Sequence, residues 1–272
     1  RSKFSLLLNK LDIDQPEGCS INTIEDISKI LKKIGGFPVL VRPSFVLSGT
    51  SMGVAYNEED LEWFISQAQH VSPEYPVTLS KFEENAQEIE FDAVSENGRM
   101  IVFAFAEHIE NAGIHSGDST LVLPTFSLSP IVKKRMQHIA SSISTSLKIC
   151  GPFNIQFLVK DECVKVIECN LRASRNLPFM SKATGINFVD VAVKAMLVES
   201  AHGEAFSVEE NLPYFAVKSP QFSFERLPGV DPCLGVEMVS TGEVACLGKS
   251  FEEALLLSVL STGFNIPTQG VL

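Results

Sequence analysis

NIQFLVKDECVKVIECN, residues 154–170, is the stretch whose reading decides the fold. Both of its halves are rich in β-branched and aromatic residues, which suit a pleated, half-buried surface. They read as an antiparallel hairpin with Asp161, Glu162 and Cys163 as its loop. In that register Gln156 faces Glu168, and Asn154 faces Asn170. Side chains alternate faces with period two, so all four polar groups share one face. One carboxylate with several amide carbonyls forms an oxygen-rich set suited to Mg²⁺, which prefers hard oxygen ligands and leaves room for phosphate oxygens. A single carboxylate binds such an ion weakly, so a polyphosphate is expected to complete the site. The competing reading is a hairpin with a solvated polar end, and a three-residue loop favours Gly where Cys163 stands. Arg172 and Arg175 follow at once and weigh toward phosphate chemistry.

Working outward, TIEDISKILKKIGG (23–36) predicts a helix capped by Thr23 and stopped by Gly35 and Gly36. FPVLVRP (37–43) predicts a short buried strand, and NEEDLEWFISQAQHV (57–71) a second capped helix with Leu61, Phe64, Ile65 and Ala68 inward. EIEFDAV (88–94) alternates strictly and predicts a strand with one acidic face. SPIVKKRMQHIASSISTSLKI (129–149) and INFVDVAVKAML (186–197) predict two further helices, the first capped by Ser129 with Pro130 in its first turn. Mixed helices and alternating strands imply an α+β fold with antiparallel sheets and flanking helices. Beyond about residue 200 the pattern weakens, and HGEAF and LPGVDP are turn-rich, so a boundary is expected there: 1–200 and 201–272.

Three further stretches carry polar chemistry. RPSFVLSGTSMG (42–53) places Arg42 at the end of a buried strand, followed by small residues that let backbone N–H groups approach a phosphate. It is neither a Walker A loop nor GxGxxG, and alone it reads as an ordinary turn. EIEFDA puts Glu88, Glu90 and Asp92 on one face, either solvent-facing or gripping a ribose hydroxyl. EHIENAGIHSGDS (107–119) holds His108 and His115 without zinc spacing, and His115–Ser116–Gly117 reads as a polar loop able to contact a nucleotide. His70 and His138 read as structural and His202 as a loop residue. No Ser/His/Asp or Cys/His nucleophile pattern is present.

Composition narrows the class. The chain has 272 residues, 45% of them hydrophobic, enough for a sizeable core. Its formal charge of −11 argues against nucleic acid and anionic membrane as partners, so an anion would need local basic residues and backbone amides. The six cysteines form no CxxC pair, and most sit in apolar runs that predict buried free thiols. No 18-residue apolar span suggests a membrane helix. The chain begins at Arg1 without a signal-like region and reads as a piece of something longer.

In this order the pieces resemble the ATP-grasp fold and, more narrowly, the large chain of carbamoyl phosphate synthetase. The resemblance rests on RPSFVLSGTSM, EIEFDA, EHIENAGIHSGDS, GPFNIQF, IECNLRASRNLPFMSKATG and STGEVACLG, and it covers nearly the whole chain. That family carries two similar synthetase halves, one phosphorylating bicarbonate and one carbamate. EHIENAGIHSGDS, PFMSKATG and GVEMVSTGEV resemble the carbamate half, and the wording resembles the multifunctional eukaryotic enzymes of pyrimidine synthesis. The resemblance implies an ATP-dependent ligase that makes carbamoyl phosphate, with ATP, two Mg²⁺ or Mn²⁺ ions, and K⁺ as a further candidate ion. It implies that Arg1 and Arg42 touch the ATP phosphates. The segment Ser80–Lys81–Phe82–Glu83 would be the adenine hinge, and Glu88 would hold the ribose. Gly113, Ile114, His115 and Ser116 would line the nucleotide site. Gln156, Glu168 and Asn170 would ligate the metals, and Arg172 would steady the transferring phosphoryl group. Implied partners are carbamate, the other synthetase half and a glutamine amidotransferase domain or subunit, in the cytoplasm or, for a urea-type parent, the mitochondrion. Glu83 departs from the apolar residue usual beside adenine. The alternatives are the bicarbonate half, another ATP-grasp ligase, or a nucleotide-binding scaffold segment inactive on its own.

Overall fold

Two antiparallel sheets carry the chain. A computed structural model describes residues 2–21, 27–43, 52–71, 76–197, 206–208, 212–223, 233–267 and 269–270. The smaller sheet has the spatial order β1 (Gly18–Ile21), β4 (Val77–Lys81), β2 (Val39–Arg42), β3 (Gly53–Ala55). Val39, Val41, Ala55 and Leu79 of this sheet are fully buried against two helices, α2 (Ile27–Ile34) and α3 (Glu58–Val71). Each helix turns one stripe inward, Ile30 and Ile34 from α2 and Leu61, Ile65 and Ala68 from α3, because residues three or four apart share a helix face. The Asn57 side chain caps α3 by accepting the Asp60 N–H at 2.9 Å. Gly35 and Gly36 end α2 with φ of 86° and 76°, as expected. The predicted cap at Thr23 lies outside the described residues.

The larger sheet runs β12 (Gly242–Gly248), β11 (Phe215–Gln221), β7 (Leu121–Leu123), β6 (Arg99–Asn111), β5 (Gln87–Glu96), β8 (Gly151–Lys160), β9 (Cys163–Asn170), with β10 (Phe206–Ser207) parallel to β6. On one face lie α1 (Ser2–Lys10) and α4 (Pro130–Leu147); on the other lie α5 (Leu177–Thr184) and α6 (Phe188–Met196). Ser129 caps α4 through the Val132 N–H, as its sequence predicts. Strand β5 separates the two faces. Ile89, Phe91 and Ala93 enter the α4 core, where the Phe91 ring lies 5.0–6.2 Å from Phe103, Phe105, Phe153 and Phe157. Glu88, Glu90 and Asp92 point the other way. Past residue 200, β11 and β12 extend this sheet through β7, and α7 (Phe251–Ser261) packs Ala254 on Val122 and Val217.

Elements that go beyond the sequence reading include α1, α5, α7, the 13-residue β6 and several short strands. Helix α7 is apolar nearly all round and so lacks a legible stripe. Strand β6 ends inside the stretch 107–119, which reads as a motif rather than as a strand.

The hairpin loop is a correction. Lys160 pairs with Cys163, so the turn is only Asp161–Glu162, with φ of 49° and 61°. Two positive φ values give the twist that a two-residue hairpin needs. The one-residue offset is absorbed at Ile167, where β9 bulges between the Phe157–Val166 and Gln156–Glu168 pairs. The predicted facing pairs survive because the two departures cancel. The cysteines are a second correction: none of the six is fully buried, Cys150, Cys163 and Cys233 being exposed and Cys19, Cys169 and Cys246 partly so.

Candidate active site

The site is the face of β5, β8 and β9 turned away from the α4 core. Cross-strand pairs lay it out in rows: Glu90 beside Gln156 and Asp92 beside Asn154, then Gln156 beside Glu168 and Asn154 beside Asn170. Glu90 accepts the Gln156 amide at 3.0 Å and the Asn154 amide at 2.6 Å. The Asn170 amide donates to Glu168 at 2.9 Å and to Asn154 Oδ1 at 3.4 Å. From the smaller sheet, Arg42 Nη2 reaches Glu168 Oε2 at 3.0 Å. The four side chains Arg42, Gln156, Glu168 and Asn170 thus converge from three strands of the two sheets.

The acidic face of β5 is buried. This overturns the solvent-facing reading of EIEFDA. Glu88 is 5% exposed, Glu90 1% and Asp92 0%. Burial pushes the Glu88 and Asp92 carboxyls up to about 7. Burial also opposes the Glu90 charge, but His108, Asn154 and Gln156 reverse that and hold it below its ordinary value. His108 is disfavoured by burial and then raised by Glu88 and Glu90. Its Nε2 lies 3.4 Å from Glu90, yet neither ring nitrogen makes a hydrogen bond, nor does either Asp92 oxygen. Glu88, Glu90 and His108 offer three ligand atoms within 4.8 Å of one another.

Above this face runs the loop 112–119. Gly113 has φ of 114°, and a Cβ there would come 2.8 Å from the Phe82 ring, so only glycine fits. Gly113 and Ile114, with Met52, Val54, Phe82 and Leu234, line a cavity of about 790 Å³ that none of the four converging residues enters. The His115 Nδ1 accepts the Gly117 N–H at 3.0 Å, and burial lowers its pKa, so the ring is a neutral Nε2–H tautomer. The Ser116 carbonyl accepts the Lys218 ammonium at 3.2 Å.

The hinge uses its side chains structurally. Lys81 Nζ donates to the Gly36 and Phe37 carbonyls at 3.1 and 2.8 Å and so points away from the polar face. Glu83 forms an ion pair with Lys165 of β9, which supplies a charge partner for the residue that departs from the family pattern. Arg172 is exposed and donates to the Ala173 carbonyl at 3.1 Å, apart from the other four. Arg1 and the small residues 48–51 lie outside the described residues.

Three site residues have little sequence signal. Glu90 and His108 are visible as polar residues of EIEFDA and EHIEN, but nothing in either stretch shows that they meet. Lys218, fully buried, binds Ser116 and Asn176 and lies 3.7 Å from Glu243. A lone lysine inside FAVKS was the available clue. Asp118, also fully buried, accepts the Val239 and Ser240 N–H groups at 2.8 and 3.0 Å and ties the loop to the segment before β12.

Residues 1–202 match the family model described as the carbamoyl-phosphate synthase L chain, ATP binding domain. The whole chain is 48% identical over 272 residues to the multifunctional protein pyrABCN of Emericella nidulans, of which it spans 12%. It is 46% identical over 276 residues to the mitochondrial carbamoyl-phosphate synthase [ammonia] of Aquarana catesbeiana, of which it spans 18%. In three dimensions it resembles a biotin carboxylase from Campylobacter jejuni, with a TM-score of 0.73 at 16% identity, covering 94% of this chain and 64% of that one. It also resembles the N5-carboxyaminoimidazole ribonucleotide synthetase purK, with a TM-score of 0.74 at 14% identity, covering 97% and 70%. These likenesses establish the ATP-grasp fold expected from the motifs, and the chain belongs to the carbamoyl-phosphate synthase large-chain ATP-binding family.

Proposed function

We propose that this chain is the carbamate-phosphorylating ATP-grasp unit of a larger carbamoyl phosphate synthetase. The observation that carries the reading is the row of Gln156, Glu168 and Asn170 on one face, met by Arg42 from the opposite sheet. One carboxylate, two amides and the oxygens of a polyphosphate make a hard-oxygen set that fits Mg²⁺ or Mn²⁺. Bound there, the ions would neutralise charge on the phosphates during transfer. A structural neighbour at 15% identity carries MgADP, which agrees with this choice of ligand.

The protein's own groups then bind, orient and exclude water. Arg42 exchanges Glu168 for phosphate oxygens as the nucleotide enters, so its ion pair holds the guanidinium ready. Backbone groups of residues 80–83 receive adenine, Glu88 the ribose, and the loop from Gly113 to Ser116 closes over the nucleotide. Arg1 joins Arg42 at the phosphates. Arg172 swings from Ala173 to the transferring group. A carbamate oxygen attacks the γ-phosphorus in line, the bond to the bridging oxygen of ADP breaks, and carbamoyl phosphate forms. No side-chain nucleophile is needed, since such transfers depend on positioning and charge neutralisation. Carbamate decomposes quickly in water, so the covering loops serve to keep water out.

The carbamate half is favoured over the bicarbonate half by EHIENAGIHSGDS, PFMSKATG and GVEMVSTGEV. The chain spans about an eighth of the multifunctional relatives, so the other synthetase half and a glutamine amidotransferase part are its expected companions. Residues 1–200 would carry the nucleotide and metal and 201–272 would support them, in a cytoplasmic parent. Among the described residues no helix is long and apolar enough to cross a membrane.

The deciding experiment is the reverse reaction, ATP formed from ADP and carbamoyl phosphate. Metal-dependent ATP formation is expected. A parent enzyme carrying Glu168→Gln in this unit that still forms ATP from ADP and carbamoyl phosphate would favour the bicarbonate half. Absence of nucleotide binding would overturn the ATP-dependent reading.

A further inference from the structure

We propose that Glu90 is a positioning residue whose carboxylate decides which ends of Gln156 and Asn170 face the phosphates. The inference rests on the reading that those two side chains and Glu168 hold the metal. A primary amide has nearly the same shape at both ends, but only its oxygen ligates a cation. An amide turned the wrong way presents an NH₂ group to the ion and repels it. Packing alone discriminates poorly between the two orientations, so a group of fixed polarity must choose.

Glu90 has that polarity and that position. An ionised carboxylate only accepts hydrogen bonds. Glu90 is 1% exposed in the middle of β5, one row beneath the proposed ligands. Its Oε1 meets Gln156 Nε2 at 3.0 Å and its Oε2 meets Asn154 Nδ2 at 2.6 Å. Both amides must therefore turn their NH₂ groups inward, which turns the Gln156 oxygen outward. Asn154, fixed in this way, has its Oδ1 left to accept Asn170 Nδ2 at 3.4 Å. The same Asn170 nitrogen meets Glu168 Oε1 at 2.9 Å, so its NH₂ is held on the protein side and its oxygen turns outward. One carboxylate thus sets three amides, two of them proposed ligands. Second-row partners of this kind orient metal ligands generally.

The test is Mn²⁺ binding to the 272-residue chain in the presence of ADP, read as free Mn²⁺ by electron paramagnetic resonance. Glu90→Gln keeps the shape but replaces one acceptor with an NH₂ donor, so Gln156 or Asn154 must flip. Mn²⁺ affinity is expected to fall about 10–100-fold, the range for lost outer-row partners. Metal-free ADP affinity and the thermal midpoint of the nucleotide-free chain should stay near wild type. In a Gln156→Ala, Asn170→Ala background, Glu90→Gln should cost nothing further. Parallel losses of Mn²⁺ binding, ADP binding and thermal midpoint would overturn the positioning role in favour of a purely structural one. If Glu90→Gln leaves Mn²⁺ affinity intact while Gln156→Ala weakens it, the positioning role is overturned and the metal reading stands. If Gln156→Ala also leaves it intact, the metal reading falls and the inference with it. Should Glu90→Gln not fold, Glu90→Asp replaces it. Its shorter reach cannot satisfy both amides, so a several-fold loss is expected, and wild-type affinity would overturn the proposal.

Discussion

Asp92 is fully buried on β5, and neither of its oxygens has a hydrogen-bond partner. Burial raises its pKa from 3.8 to about 7, with the Glu90 charge adding to the rise and Arg172 opposing it. The folded pKa lies above the unfolded one, so the folded state binds the proton more tightly across that window. Stability from this group is complete below about pH 4 and is lost as pH rises toward 7, with a slope of at most about 1.4 kcal/mol per pH unit. Asp92→Asn should remove that slope. Chemical denaturation of both proteins between pH 4 and 8 checks it, and an unchanged difference across the range would refute it. At Glu168, replacement by Gln should weaken Mn²⁺ binding in the presence of ADP by about 100-fold or more, beyond the loss for an outer-row group. Arg172 tests differently. Arg172→Ala in the parent enzyme should slow phosphoryl transfer about 10²–10³-fold, as for loss of one group stabilising developing charge. Its ADP affinity should hardly change, and equal losses would argue against the role.

The β8–β9 hairpin couples local chemistry to the site. Its turn forces Glu162 to a φ of 61°, in the left-handed region that costs an ordinary side chain roughly 1–2 kcal/mol. Glu162→Gly should relieve the strain. Glycine's greater unfolded-state entropy opposes that gain, leaving a net stabilisation of about 0.5–1 kcal/mol. Urea denaturation reads the gain, and nucleotide binding should not move, because the Ile167 bulge isolates the ligand row from the turn. Phe91 sits at the opposite extreme, fully buried among four other phenylalanine rings. Phe91→Ala should destabilise by about 3–5 kcal/mol through lost transfer energy and the cavity left behind.

Across the whole molecule, the two sheets meet at the site through Arg42 and Glu168, so a nucleotide bound there stabilises both. MgADP at 100 times its dissociation constant should add about 2.7 kcal/mol to unfolding, visible as a raised thermal midpoint. Arg42→Ala should reduce that rise while leaving the nucleotide-free midpoint close to wild type, since a partly exposed ion pair contributes only about 0–1 kcal/mol. An undiminished rise would place the nucleotide elsewhere.

The sequence by itself determined the α+β class, the face shared by Gln156, Glu168 and Asn170, and the family. Those are legible because side-chain alternation and ordered motifs are local properties. The tertiary structure decided what depends on partners far along the chain. It buried the acids of β5, which no alternation pattern can tell from a solvated face. It placed Glu90 between two amides contributed by residues 154 and 156, more than sixty positions away. It paired Glu83 with Lys165 and seated Lys218 under the loop of Ser116. It also shortened the hairpin turn and inserted the bulge that restores the register. The physical reason is the same in each case: burial and hydrogen-bond partnership are set by whichever strands the fold brings side by side, while periodicity reports only the strand itself.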